Sequence, residues 1–469
     1  MKNRYKSPQI QPNILLIQSD QHRYDCMGVN GHPVLQTPHL DQLATEGMNF
    51  THAFCPIPLC VPARNSLMHG QWSTGHLSIA NEYTEAPRPA KDGLPAFSQC
   101  LSEHGYTLGH VGKWHIHPHK KPSDYGFHHY IPSKQYDQWR ADNNLSPRPR
   151  TQGWLGEVDP HITSEQSRLA WGANHTMRLL TQFAQESNPF FLYWGLNEPH
   201  LPNVVPDPYF SMYPPEHISP WCSFPDSLQG KPYIQHQQRR SWQVDNWTWD
   251  EWAPLVSRYL GEISLLDAQI GRVLQTLEAL DLANNTLVIY TADHGDLCGG
   301  HGMLDKHFIM YDDVVRVPLI MRWPGVIEAN RQHDAFVINA LDLATTFCDV
   351  SNSPIPNTFT GQSLAPLMKG AKTNGRQDVF SMYHGSQFGL FSQRMVRDYH
   401  WKYVWNATAK DELYNLLSDP AELNNLVNDP AYQSELTRLR HRLVAWMKET
   451  NDLLLNPWIE TQLLEGLKH

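Results

Sequence analysis

Four short apolar runs in this chain each end in residues that carry charge or can ligate a cation, and that pattern restricts the fold more than any other feature. The first is Asn13-Ile-Leu-Leu-Ile-Gln-Ser-Asp20, with Gln21 after it. Tyr106-Thr-Leu-Gly-His-Val111 leads into Gly-Lys113-Trp-His115, and Pro189-Phe-Phe-Leu-Tyr-Trp194 leads a few residues later to Pro199-His200. Thr286-Leu-Val-Ile-Tyr-Thr291 gives way to Ala-Asp293-His294-Gly-Asp296. Runs of this length, rich in β-branched and aromatic residues, read as strands buried on both faces. Between them lie segments of helical period: residues 94 to 104, stopped by Gly105; residues 164 to 186; and a run carrying Leu255, Tyr259, Ile263, Leu266, Ile270, Val273, Leu277 and Leu280. The alternation predicts an α/β fold, a mixed but mainly parallel sheet flanked by helices. Ligands of such sheets bind beyond the carboxyl ends of the strands. Asp20, Gln21, Lys113, His115, His200, Asp293 and His294 are therefore expected on one rim.

From about residue 360 the long strand-helix units give way to short strands. Arg394 to Trp405 reads as a hairpin and residues 430 to 450 as a terminal amphipathic helix. With 469 residues to distribute, the expected organisation is an α/β catalytic domain over residues 1–365. A smaller α+β C-terminal subdomain over 366–469 would carry an antiparallel sheet and that helix. The stretch from Pro202 to Pro254 is a long insertion whose Trp242, Trp247, Trp249 and Trp252 either offer aromatic platforms to a sugar or pack the loop onto the body.

A formal net charge of -10 without a Lys/Arg run excludes a general nucleic-acid binder, so an anionic substrate has to be captured by local cations. Seven scattered cysteines form neither a disulfide framework nor a CxxC zinc site. The apolar run Ile14 to Ile17 is too short for a signal-peptide core, and no membrane span is expected. The chain as written reads as cytoplasmic, or as periplasmic or secreted if a leader has been removed.

Two groups of candidates carry chemistry. Asp20, Gln21, Asp293 and His294 are a mostly oxygen-donor set suited to a hard divalent cation: calcium, magnesium or manganese. Lys113, His115, His200 and Lys306 can bind an anionic group and protonate a leaving oxygen, as cleavage of a sulfate or phosphate ester demands. Cys60 stands in Cys60-Val-Pro62-Ala-Arg64. Taken alone it is a buried small hydrophobe or a thiolate nucleophile activated by a helix N-terminus and Arg64.

That stretch, continued by Asn-Ser-Leu-Met-His-Gly70, resembles the Cys-x-Pro-x-Arg signature of the type I, formylglycine-dependent sulfatases of the alkaline-phosphatase superfamily. The resemblance also takes in the segments ending at Asp20-Gln21, Thr37 to Gly47, Gly112 to His115, Pro199 to Pro202, Thr291 to Asp296, Lys306, Arg316 to Ile320 and Glu412 to Pro420. It implies the alkaline-phosphatase-like fold and a sulfuric ester hydrolase whose Cys60 is oxidised to Cα-formylglycine by a formylglycine-generating or anaerobic maturase. The hydrated aldehyde, bound to the metal, would then be the nucleophile. By the same resemblance Arg64 steadies the hydrate, and Lys113 and Lys306 hold the sulfate. His200 protonates the departing alcohol, while His115 takes a proton from the remaining hydroxyl so that sulfate leaves. Cys60 would thus join Asp20, Gln21, Asp293 and His294 at the cation. The expected substrate is a sulfated carbohydrate.

Three residues depart from the family pattern, in two places. Ala63 stands where many members have Ser. Gln21 and His294 stand where many have Asp and Asn, a pairing that is similar to phosphonate monoester hydrolases, choline sulfatases and related phosphodiesterases. A phosphonate or phosphate diester hydrolase is the alternative, and a non-catalytic glycan-binding protein that keeps the fold is a third reading.

Overall fold

The computed structural model describes residues 11–81, 89–224, 226–372, 375–385, 390–466 and 468. Eight strands form the central sheet: β1 (Asn13–Ser19), β2 (Met48–Phe50), β3 (Thr107–Gly112), β4 (His129–Pro132), β5 (Phe190–Gly195), β6 (Thr286–Ala292), β7 (Leu319–Arg322) and β8 (Arg331–His333). Their order is β8-β2-β7-β6-β1-β5-β3-β4. β7 is antiparallel to both of its neighbours and every other pairing is parallel, so β7 alone runs against the rest.

β1 explains why the middle of this sheet is apolar on both sides. All seven of its residues are buried. Ile14 and Leu16 face one way, into a cluster with Leu67, Phe97 and Phe347. Leu15 and Ile17 face the other, into a cluster with Leu179, Leu180, Leu266 and Ile270. Period-two alternation in a strand covered twice therefore shows as an unbroken apolar run. The first face is covered by helices α1 (Cys60–His69) and α4 (Asn339–Val350), the second by α2 (Arg168–Phe183) and α3 (Trp249–Ala279).

α3 begins at Trp249, ahead of the periodicity that starts at Leu255, and Pro254 lies inside it. The proline falls in the second turn, where the cost of its missing N–H is partly offset by a strong start. There Glu251 Oε2 accepts the Thr248 N–H at 2.6 Å. The insertion before α3 is not bare loop, since Tyr233–Trp242 is helical.

The C-terminal unit is a four-stranded antiparallel sheet, β9 (Val379–Gly385), β10 (Phe391–Arg397), β11 (Trp401–Asn406) and β12 (Glu412–Asn415). β10 and β11 are the expected hairpin, paired Arg397 to Lys402. Helix α5 (Gln433–Glu449) covers this sheet, with Trp446 stacked on Phe380 at 4.8 Å and edge-on to Trp72 at 5.0 Å. One buried cluster thus runs without a break from the central sheet into this unit. α5 is not the terminal helix, because Pro457–Glu465 follows, started by Asn456 Oδ1 accepting the Trp458 and Ile459 N–H groups. Among the described residues no helix is long and apolar enough to cross a membrane.

Candidate active site

Parallel register builds the first half of the site. Ser19 pairs with Ala292 across β1 and β6, so the next residues, Asp20 and Asp293, emerge side by side. Both are fully buried, and Arg64 lies between them. Its Nη2 donates to Asp20 Oδ2 at 2.9 Å and its Nε to Asp293 Oδ2 at 3.0 Å. Nη1 donates to Tyr193 Oη at 3.2 Å and to the Lys113 carbonyl at 3.3 Å. Gly112 pairs with Gly195 across β3 and β5, which brings Lys113 to the same edge, and its Nζ reaches Asp20 Oδ2 at 2.7 Å.

Cys60 opens α1, one helical turn from Arg64, so the two side chains share a face. Its Sγ lies 3.2 Å from His294 Nε2 and 3.6 Å from Asp20 Oδ1. His294 Nδ1 is bonded to the Gly295 carbonyl at 2.9 Å, which leaves Nε2 directed at the sulfur. Asn81 Oδ1 accepts the Val61 N–H at 3.0 Å and so satisfies one donor of the first turn of α1.

The ligand atoms of Asp20, Cys60, Asp293 and His294 all lie within 4.8 Å of one another. Their electrostatics fit a cation. Burial and the neighbouring Asp20 push Asp293 up to about 6. His294 rises to about 9, because Asp293 and Cys60 outweigh the burial that acts against its charge. Asp20 stays well below the usual carboxylate range, since Lys113, His200 and Arg64 overcome a large burial effect. Burial and Asp20 act upward on the Cys60 thiol, yet Lys306, Lys113 and His294 hold it well below its ordinary value. Asp293, which burial and the ionised Asp20 push toward its protonated form, is the carboxyl that a divalent cation would deprotonate.

Gln21 reaches the same rim with φ 68°. Its Nε2 donates to Asp296 Oδ2 at 2.6 Å and Asp305 Oδ1 at 3.1 Å, while its Oε1 accepts from Lys306 Nζ at 2.5 Å. Gln21 therefore stands beside the four-residue cluster with its carboxamide oxygen engaged by an ammonium. Lys306 Nζ also meets His200 Nε2 at 2.8 Å, and His200 Nδ1 is bonded to the Leu201 carbonyl at 2.6 Å. His115, with φ 46°, sits against Cys60, and burial and then Lys113 lower its pKa. All ten residues singled out in the sequence are thus brought to one place.

Beside them opens a cavity of about 250 Å³ walled by Asn81, Trp154, His200, Trp242, Lys306 and His307. A larger, mostly apolar cavity of about 400 Å³ lies elsewhere, between Leu77, Ile79, Met382 and Leu453, and contains none of the clustered groups. Of Trp242, Trp247, Trp249 and Trp252 only Trp242 lines the site cavity. Trp252 is fully buried and meets Trp247 edge-on at 4.9 Å, and Trp249 donates from Nε1 to the Ile218 carbonyl at 2.7 Å. Those three pack the insertion onto α3. Trp154, Asn81, Asp305 and His307 escaped the sequence reading, because Trp154 reaches the cavity from a single 3-10 turn and the other three from loops, none of which has a periodic pattern. The Asp and His flanking Lys306 were the one available signal.

A family model described as Sulfatase matches residues 12–353. The chain belongs to the sulfatase family. A second model, N-sulphoglucosamine sulphohydrolase, C-terminal, matches residues 299–449 of this sulfatase. An arylsulfatase of Clostridium perfringens is 28% identical to it, over 93% of this chain and 94% of its own. A Delta 4,5-hexuronate-2-O-sulfatase of Bacteroides thetaiotaomicron is 27% identical, over 95% and 90%. The solved phosphonate monoester hydrolase of Agrobacterium radiobacter has the same fold, with a TM-score of 0.82 and 25% identity over 94% of this chain and 96% of that one. Membership makes this chain a sulfuric ester hydrolase with the mixed α/β sheet and small C-terminal sheet described above. It also implies a metal, for which Asp20, Cys60, Asp293 and His294 are a fitting site.

Proposed function

We propose that this sulfatase removes sulfate from a sulfated carbohydrate, with a formylglycine matured from Cys60 and a calcium ion held by Asp20, Asp293, His294 and residue 60. Gln21 joins that ligand set only by giving up Lys306. The observation that carries the reading is the position of Cys60, at the start of α1, against Asp20 and His294 and one turn ahead of an Arg64 that grips both carboxylates. When bound, the cation would offset negative charge and the hydrated aldehyde would supply a nucleophilic oxygen with a built-in route for releasing sulfate.

The protein groups act around that centre. Lys113 and Lys306 bind the oxygens of the sulfate and stabilise charge that grows on them. His200 keeps its Nδ1 on the Leu201 carbonyl, so Nε2 is the nitrogen that delivers a proton to the departing alcohol. His115 accepts a proton from residue 60, and burial, by disfavouring its charged form, keeps it neutral for that task. Arg64 fixes Asp20 and Asp293 as a pair, and so acts on the centre through the ligands.

The carbohydrate assignment draws support from the hexuronate sulfatase relative and from Trp154 and Trp242 on the cavity wall. The alternative, a phosphonate monoester or phosphodiester hydrolase, rests on likeness of fold and on Gln21 with His294; the family match favours the sulfate ester. A sulfate-release screen over defined sulfated mono- and oligosaccharides, run on protein whose residue-60 peptide has been checked by mass spectrometry, tests the reading. Expected are an aldehyde in place of the thiol and turnover of at least one sugar sulfate. An unmodified thiol in the native host, or phosphonate monoester turnover orders of magnitude above sulfate turnover, would overturn it.

A further inference from the structure

Next to Lys306 the chain holds a second carboxylate-imidazole pair that the proposed chemistry leaves unused. Asp305 Oδ2 and His307 Nε2 are 2.9 Å apart. His307 is 5% exposed and lines the cavity, and among the described residues its Nδ1 has no hydrogen-bond partner. The backbone that presents it is strained, with φ 72° at Asp305 and 87° at His307, a region that side-chain-bearing residues adopt only where the surroundings demand it.

The pairing dictates the chemistry of the unpartnered nitrogen. Asp305 has the Lys306 ammonium 3.3 Å from Oδ1 and the His307 ring at Oδ2, and its Oδ1 also accepts from Gln21 Nε2 at 3.1 Å, a setting that suits the carboxylate form. An ionised Asp305 accepts the proton on Nε2, and burial keeps the ring neutral. Nδ1, itself closed to solvent in a ring that lines the cavity, then holds an unmet lone pair. A lone pair there cannot bind sulfate, which has no hydrogen to donate, and an unmet acceptor behind a buried wall is unfavourable. Its fitting partner is a hydroxyl of the molecule that carries the sulfate.

We infer that His307 contacts the substrate, accepting a hydrogen bond from a free ring hydroxyl of the sulfated sugar and thereby favouring polyol sulfates over sulfates of simple alcohols and phenols. This rests on the carbohydrate reading above. It adds the identity of the residue that reads the sugar and the kind of group it reads.

The test is a cycle between residue and hydroxyl. His307→Gly removes the ring and suits a φ of 87° better than histidine does, so the fold is kept. His307→Asn retains an acceptor near Nδ1 and also tolerates that backbone. The substrates are the best sulfated monosaccharide from the release screen and its monodeoxy analogues. In the wild type, loss of one particular hydroxyl is expected to lower kcat/KM about tenfold, chiefly through KM. His307→Gly is expected to lose about the same factor on the parent sugar and less than about twofold more on that deoxy analogue, with His307→Asn in between. If the two losses multiply at every ring position, His307 reads no hydroxyl and the assignment falls while the sulfatase reading stands. If no sugar in the screen yields sulfate, the carbohydrate reading itself falls and this inference with it. Should His307→Gly fail to fold, the same cycle on His307→Asn decides, since its coupling to the hydroxyl must also differ from one.

Discussion

Asp20 and Asp293 reach the site from the ends of adjacent central strands and are 0% and 1% exposed, whereas His200, Lys306 and His307 reach it from loops around an open cavity. In the first half every charge has a counter-charge at fixed distance: Arg64 between the carboxylates, Lys113 on Asp20. In the second half the residues wall a cavity that a substrate can fill and bond to one another across loops, Lys306 to Gln21, His200 and Asp305, while Nδ1 of His307 is left without a partner among the described residues. The two halves therefore respond differently to damage. Buried, compensated charge is part of the fold, so removing one member costs stability as well as chemistry; loop-borne groups at a cavity cost chemistry alone.

The largest expected effect is that of Arg64→Ala. It leaves two buried carboxylates facing each other, with a loss of about 3–5 kcal/mol in denaturant unfolding and no measurable turnover. Retention of wild-type stability would break the distinction between the halves. Next is His200→Ala, on the loop side, expected to lower kcat by about 10²–10⁴ with little change in unfolding midpoint. The loss should be smaller on 4-nitrophenyl sulfate, whose leaving group departs without a proton, than on an alkyl sulfate; equal losses would remove His200 from the proton-donor role.

A third expectation concerns pH. In the metal-free protein Asp293 lies near 6 and His294 near 9, both above their ordinary values. Groups raised in this way contribute stability that is lost as pH climbs through those values, and both must release protons to ligate. Calcium affinity is therefore expected to rise from pH 6 to 9, with the metal-free protein losing stability over the same range and the metal-loaded protein losing less. Asp20, shifted downward, titrates well below that window. Calorimetric titrations at pH 6, 7.5 and 9, in two buffers of different ionisation enthalpy, read both the affinity and the released protons; a flat profile sinks the coupling. The smallest effect belongs to Trp154→Ala at the cavity rim, where the ring is 57% exposed. A rise of about threefold in KM for a sugar substrate, with unchanged stability, is expected, while Trp252→Ala in the packed insertion should cost about 3–5 kcal/mol. If the two tryptophans behave alike, the division between wall and packing is wrong.

Much of the first half was legible before any coordinates. Strands such as Asn13–Ser19 are apolar on both faces because helices cover both, so their ends, and the ionisable residues just past them, stand out in a linear reading. α3 was legible by its period but not by its start, since Pro254 argues against a helix that the Thr248 and Glu251 cap nevertheless begins five residues earlier. Trp247, Trp249 and Trp252 could not be told from sugar platforms, because packing and display use the same residue type.

The amino-acid order alone determined that two carboxylates, a cysteine one turn from an arginine, and several cations would meet at strand ends, because burial and period are local properties of the chain. Only the tertiary structure decided that Ser19 registers with Ala292, that Arg64 grips both carboxylates, that Gln21 turns its oxygen to Lys306, and that His307 and Trp154 wall the cavity. Those are choices of register and loop path between residues as much as 285 positions apart. They are made by the packing of the whole core, and no local pattern records them.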